Sequence, residues 1–523
     1  MTTTIAHSLL DEPVFGFEDD TGARGKVTLP GLLARLSRGE PTSLTGLQAH
    51  QQHPMHAFCA QLGALSLVRA EESEIAHDEA RWKEMLLGAA AVDRAGAEAF
   101  TLVVGDLSKP AFLQPPVPEG KLDGLKSVHG SPSEELDVLI TAKNHDVKVG
   151  RLGEPSIEQW VFGLVTLQTT QGFLGAGNYG IARMNGGFAS RPGVALAPEH
   201  GAAARFRRDV EALLDARDEL EEGFGFGKKG SLGLVWCAPW DGTTSLSFDR
   251  LDAFFIEVCR RIRLVADASG RVVAHRGSSK AARIEAKEAL GNTGDAWTPV
   301  AQEGKALTLP EEGFTYERVQ ALLLGADYTP GAAGKAQPGD ALWVGQVLVR
   351  GQGKTGGYHE RWVAVPEKAR RSLFAPAARA ELAERARGWV TLAAAAELKV
   401  LKPALLALLQ GAPDKVAFDD DRARALLSRF DAAVDAAFFP LLFEHVDEPP
   451  EQADRAFHRT LFELGRKILS DARESLPVPS ARRWRAEDTS ERVFFGAARK
   501  QLPLAFDQER EAASAARLEG GSP

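Results

Sequence analysis

The feature that most constrains this chain is a change of character near residue 375 of its 523. Before that point, glycine and proline interrupt short apolar runs, the pattern of mixed strands and helices joined by turns. After it, glycine and strand signals fall, and Ala, Leu, Arg and Glu fill four long segments broken near 411–413, 449–450 and 477–479. Two stripes run through these segments: Leu427, Phe430, Val434, Phe438, and Phe457, Leu461, Leu464, Ile468. Steps of three and four residues put each set on one helical face, the core side of an amphipathic helix. The chain is therefore expected to be α+β: a large mixed α/β domain over 1–370, followed by an all-α four-helix bundle over 375–515.

Composition narrows the function classes. Hydrophobic residues make up 44% and charged residues 25%, as in packed globular domains, so a disordered or fibrous chain is excluded. The formal net charge of −9 is unlike that of a bulk polycation and leaves only local basic patches for nucleic acid. Cys59, Cys237 and Cys259 are far apart and form no CxxC pair, which argues against a cysteine zinc site or a disulfide framework and fits a reducing cytoplasm. No basic leader and no 18-residue apolar run is present, so neither a signal peptide nor a membrane span is expected.

Within the first part, 14–17 and 26–29 are expected to pair around the DDTG turn at 19–22. Helices are expected over 54–68, 78–91, 156–170 and 206–222, and strands over 101–104 and 136–142. Ser156 with Gln159 makes a capping box for the third helix. Segment 252–263 fits either a helix or a buried strand, because its periodicity does not decide. Strands over 342–350 and 361–365 flank a glycine-rich tip.

Two motifs imitate nucleotide sites. Gly175, Gly177 and Gly180 satisfy G-x-G-x-x-G, yet a helix precedes them where a dinucleotide fold needs a strand. A turned loop whose backbone amides approach a ligand is the better reading, with Asn178 at its tip and Arg183 and Arg191 beside it. Gly351, Gln352, Gly353, Lys354 and Thr355 imitate the end of a phosphate-binding loop, but Leu348 stands where the first glycine should be and a strand follows. That segment is expected to be a hairpin tip. Lys228 and Lys229 lie in a GFGFGKKG run able to touch phosphates. His50, His53 and His56 are spaced by three and could bind a metal on one helical face, but Pro54 interrupts that face and no carboxylate is adjacent, so they are read as surface or packing residues. Lys143, Asn144, His145 and Asp146 form a polar cluster. His145 and Asp146 leave open an alternative, a metal-dependent nuclease or hydrolase that draws on distant acids.

Taken together, SLLDEP at 8–13, FLQP at 112–115, LITAKNHD at 139–146, TQGFLGAGNYGIARMNGG at 170–187, VRGQGKT at 349–355, and Glu360 with Arg361 resemble the CasA family. These are the large subunits of the type I-E CRISPR surveillance complex Cascade. The opening motif departs from the family at Phe15 and Gly16, where an Ile-Pro pair is usual. The resemblance implies a non-enzymatic subunit without cofactor or metal. It would read the protospacer-adjacent motif from the minor groove, help open the duplex for an R-loop, and recruit a helicase-nuclease. Its partners would be the other subunits with their crRNA and double-stranded target DNA. Carried over by residue, Gly175, Gly177, Asn178 and Gly180 match the glycine loop, and Gln352, Gly353 and Lys354 match the wedge. Lys143, Asn144 and His145 match the loop that docks on crRNA and DNA, while Arg183, Lys228 and Lys229 are candidates for backbone contacts. The family's lysine finger has no counterpart in 236–250, so Lys228, Lys229 or Lys280 would have to supply it.

Overall fold

The computed structural model describes residues 6–40, 42–127, 136, 155–184, 191–199, 201–351, 354–415, 417–475 and 480–507. It divides into two compact units. The first comprises Met1–Phe314 and Asp327–Ala364, and the second Thr315–Ala326 and Val365–Pro523. The short Tyr316–Leu323 helix thus belongs with the C-terminal helices although strands follow it in sequence. No described helix is long and apolar enough to cross a membrane.

The first unit opens with the expected hairpin, Phe15–Glu18 antiparallel to Arg24–Val27, and Ser43–Leu44 adds a third strand on the other edge. Helices Gln52–Ala70, Glu79–Val92, Ile157–Thr170 and Ala202–Phe224 pack behind it around Phe58, Leu62, Trp82, Trp160 and Phe206. Pro54 falls in the first turn of its helix, where a missing N–H costs nothing, so it does not interrupt the 50–56 face. Ser156 caps its helix as the capping box predicts, accepting from the Gln159 amide at 3.3 Å. Segment 252–263 resolves as strand: Leu251–Ile256 is wholly buried, and Arg261–Ala266 pairs antiparallel with Val272–Gly277. The expected strand over 101–104 is reduced to one bridge, Thr101 to Ser8. The one over 136–142 falls outside the described residues except for Leu136, which is buried. A second antiparallel sheet joins Gly193–Ala197, Leu342–Gly351 and Lys354–Ala364, with the long hairpin at its edge.

The second unit is helical in its described residues. Its long helices are Pro376–Ala395, Asp421–Glu444, Pro450–Ser475 and Arg483–Gln501. A π-turn over Ala396–Leu401 joins the first of these to Lys402–Leu409. Trp389 stacks on Phe457 with ring centroids 4.1 Å apart, and its indole N–H donates to Asp454. Phe438 meets both rings edge-on. The stripe Leu427, Phe430, Val434, Phe438 is buried throughout. In the other stripe Leu464 is only half-buried. Gly465 takes the inner position, because a Cβ there would lie 3.1 Å from the Phe494 ring.

His53 sits in the core of the first unit, 3% exposed, and neither ring nitrogen has a partner. Burial, helped by Arg191 and Arg205, holds its pKa well below the usual histidine value. The unfolded chain therefore binds a proton near pH 6.5 that the folded chain refuses. Stability is full above that pH and falls as the pH drops through it, by up to about 1.4 kcal/mol per pH unit for each such histidine. Denaturant titrations between pH 7.5 and 5 should show this slope, and His53→Leu should flatten it.

Candidate nucleic-acid interface

The glycine loop leaves the end of the Ile157–Thr170 helix and closes on itself. The Asn178 amide donates to the Gly175 carbonyl, the Leu174 amide to Asn178 and the Ile181 amide to Gln171, all at 2.9–3.0 Å. Gly180 is required by its stem: a Cβ there would stand 2.6 Å from the Gly172 backbone. Gly177 combines φ +83° with a Cβ position 2.8 Å from Ser278. Only glycine accepts both the left-handed φ and that approach. Asn178 and Ala176 are exposed at the tip.

The loop is pinned from beneath. Arg260 donates to the Tyr179 carbonyl and, at 2.7 Å, to that of Gly172. Arg260 is itself positioned by Gln168, whose side-chain oxygen accepts its amide at 2.8 Å and whose side-chain N–H donates to its carbonyl at 3.0 Å. On the downstream side Glu257 accepts the Ala182 amide at 2.8 Å and the Arg183 guanidinium at 2.7 Å. Arg183 also donates to the Phe255 carbonyl and lies over the Phe255 ring. Arg183 thus corrects the expectation of a DNA-backbone contact: at 3% exposure it is committed to holding the loop.

Two contacts join the loop to the 278–280 turn. The Ser279 amide donates to the Gly177 carbonyl at 3.0 Å, and the Tyr179 hydroxyl donates to the Lys280 carbonyl at 3.1 Å. Lys280 is exposed beside the loop. Lys228 and Lys229 are exposed in another turn, where Lys229 pairs with Glu71. No contact recorded for either lysine reaches the loop among the described residues, so Lys280 is the one of the three placed beside it.

Between the loop and the Arg261–Ala266 and Val272–Gly277 strands lies a cavity of about 240 Å³. Asn178, Arg260, Arg261, Arg276 and Arg350 line it, and no carboxylate is among its described lining residues. Arg350 comes from the Leu342–Gly351 strand just before the hairpin tip. Arg261 donates to the Ser278 carbonyl, and partial burial lowers its pKa from the usual arginine value, opposed by Asp241. The sequence carried a signal for this cluster that the motif reading passed over: arginines at 260, 261 and 263 interleaved with Ile262 and Leu264. Alternation along a strand sends neighbours to opposite faces. Arg261 and Arg263, two residues apart, therefore share a face of the strand, but Arg263 is buried: it donates to the Lys109 and Val104 carbonyls and has its pKa pushed down to about 10 by burial.

The remaining expected site residues are not brought together here. Gln352 and Gly353 lie outside the described residues, and of Lys354 only the strand backbone, opposite Gly351, is described. Lys143, Asn144, His145 and Asp146 also lie outside them. Among the described residues no group of three or more His, Cys, Asp or Glu could hold a metal ion. The three cysteines are buried and free. His56, in the triplet 50–56, donates to Asp209 at 2.7 Å, and His50 and His53 are buried, so this triplet serves packing.

Neither a protein-family model nor a curated protein matches the sequence. Solved structures do match. CRISPR-associated protein Cse1 from Acidimicrobium ferrooxidans superposes with a TM-score of 0.60 at 15% identity, covering 95% of this chain and 99% of its own. CasA from Thermus thermophilus gives 0.60 at 14% identity, covering 95% of this chain and 100% of its own. A chain from a structure described as a CRISPR RNA-guided surveillance complex gives 0.56 at 13% identity over 94% of this chain and 99% of that chain. The protein therefore has the CasA fold along nearly its whole length.

Gly180→Ala should lower the melting temperature and speed hydrogen exchange over 172–182, since its new methyl meets backbone rather than a movable side chain. Gly88→Ala, at a helical position with nothing within 4 Å, should be neutral or stabilise by about 0.4–1 kcal/mol. Equal behaviour of the two variants would disprove the close approach.

Proposed function

We propose that this protein is a CasA-family large subunit of a type I-E RNA-guided surveillance complex, that it recognises a short motif flanking the target in double-stranded DNA, and that it is not itself an enzyme. The observation that carries the reading is a composite: within a CasA fold, a glycine loop fixed against the Lys280 turn opens beside an arginine-lined cavity. Backbone amides and a short polar tip suit the minor groove, whose pattern is coarse and whose walls admit only small groups. Gly175, Gly177, Asn178 and Gly180 supply that tip, and Lys280 takes the place of the lysine finger.

Arg261, Arg276 and Arg350 give the local positive field that the overall charge of −9 lacks. Gln352, Gly353 and Lys354 act as the wedge that parts the first base pairs, and Lys143, Asn144 and His145 meet the crRNA. Base pairing with the guide then reads the sequence, as in other RNA-guided systems, and cutting falls to a recruited helicase-nuclease. The C-terminal helices work as a four-helix bundle that docks on neighbouring subunits. Support for this comes from Leu398, Phe418 and Trp484, which are 54%, 82% and 75% exposed and line an open groove of about 830 Å³. Apolar exposure of that kind marks an interaction surface.

The test is duplex binding by the reconstituted complex with the flanking sequence varied. Asn178→Ala and Lys280→Ala should each weaken binding to the preferred flank by about tenfold or more, within the range for lost groove contacts. If Lys280 also neutralises a phosphate, the slope of log affinity against log salt should fall by about 0.9 in its variant. Unchanged flank preference in both variants would reject the reading. DNA cleavage by the purified chain with Mg²⁺ would favour the hydrolase based on His145 and Asp146 instead. Trp484→Ala should leave melting unchanged and reduce incorporation of the subunit into the complex.

A further inference from the structure

The first unit contains a second cavity, of about 300 Å³, away from the glycine loop. Leu32, Leu36, Leu44, Met55 and Trp362 give it apolar walls. Its polar lining includes Gln52, His56, Gln346 and, 5% exposed, Arg205. One terminal nitrogen, Nη1, donates to Gln346 at 2.9 Å. Nη2 and Nε have no acceptor. The nearest carboxylate oxygen, on Asp209, stands 3.9 Å from Nε, too far for a hydrogen bond. Asp209 is already engaged by His56 and Trp297 at 2.7 and 2.8 Å and by Arg208 at 3.3 Å. Glu360, the other carboxylate acting on Arg205, accepts from the Gln346 side chain at 2.6 Å. Leaving two guanidinium donors buried without acceptors is costly, and burial lowers the Arg205 pKa accordingly.

A second observation concerns the mouth of the same cavity. The Ala202–Phe224 helix begins there, and Gly201 and Ala202 line it. Gly201 offers no side-chain cap, and the first turn carries no acidic residue. A helix start presents unbonded amides and a partial positive charge that favour an anion. The amide donors at the mouth and the unpartnered guanidinium therefore border one space. A bare inorganic anion would leave the leucine walls unmatched, whereas a carboxylate with an apolar body satisfies both sides.

We propose that this cavity is a binding site for a small carboxylate with an apolar body. Its carboxylate would lie between Arg205 and the start of the Ala202–Phe224 helix, and its body against Leu32, Met55 and Trp362. The site does not depend on the nucleic-acid reading. The probe is octanoate, added to the full chain and followed by calorimetric titration and melting. Octanoate should bind saturably and raise the melting temperature, whereas acetate and octan-1-ol at the same concentrations should not. Arg205→Gln should weaken octanoate by about tenfold or more, the loss expected for a charge-assisted hydrogen bond. Ala202→Glu guards against misfolding of that variant: position 202 is exposed, an acid there suits the helix start, and its carboxylate should compete with octanoate and abolish binding. Octanoate without heat or melting shift, or binding equally to wild type and Ala202→Glu, overturns the proposal.

Discussion

One buried carboxylate sets the register of the first unit. Asp209, fully buried on the Ala202–Phe224 helix, accepts from His56 on the Gln52–Ala70 helix, from the Trp297 indole, and from its neighbour Arg208. Arg208 reaches on to Asp340 and to the Ala333 carbonyl. Beside Trp297, Arg191 pairs with Asp295, which also accepts from Thr298. Arg183 and Glu257 extend the same pattern to the end of the glycine loop. Such pairs add little net stability over a well-packed apolar core, but losing one partner costs about 3–5 kcal/mol. Their consequence is uniqueness: helices and strands that carry these charges have one arrangement that satisfies most of them.

The glycine loop inherits its shape from that arrangement. Its upstream stem hangs from Gln168 and Arg260, and its downstream stem from Glu257. Between these anchors only the segment with exposed Ala176 and Asn178 is left to face outward. The loop is thus fixed at both stems on a polar core, which leaves little of it to order on contact with a ligand. Although the chain as a whole carries a net charge of −9, four arginines are gathered at one cavity beside this loop.

Features written in local chemistry were legible in the sequence. The capping box at Ser156, the hairpin at 15–27, the long hairpin from 342, and the buried face of Leu427, Phe430, Val434 and Phe438 follow from short-range rules. The missing strand before Gly175 argued against a dinucleotide fold, and a helix does precede that loop. What was not legible depends on distance in sequence. Arg183 and Arg191 looked like surface cations beside a loop, because their partners Glu257 and Asp295 lie 74 and 104 residues away. Gly465 replaced Leu464 at the inner face because of one ring, Phe494, on another helix. That Lys280, rather than Lys228 or Lys229, lies beside the loop follows from the 278–280 turn packing against Gly177.

Buried arginines therefore have to be judged by what their donors touch rather than by depth alone. Arg183 and Arg205 are equally hidden, and both have pKa values lowered first by burial. Arg183 spends both terminal nitrogens on protein acceptors and covers the Phe255 ring, and only its Nε is left without an acceptor. Arg205 spends one terminal nitrogen and leaves the other buried without an acceptor. Among the described arginines it alone combines an unmatched buried Nη with a neighbouring cavity and an uncapped helix start. The same physics that makes Arg183 a strut makes Arg205 an open valence, and the difference lies in the acceptor each was given.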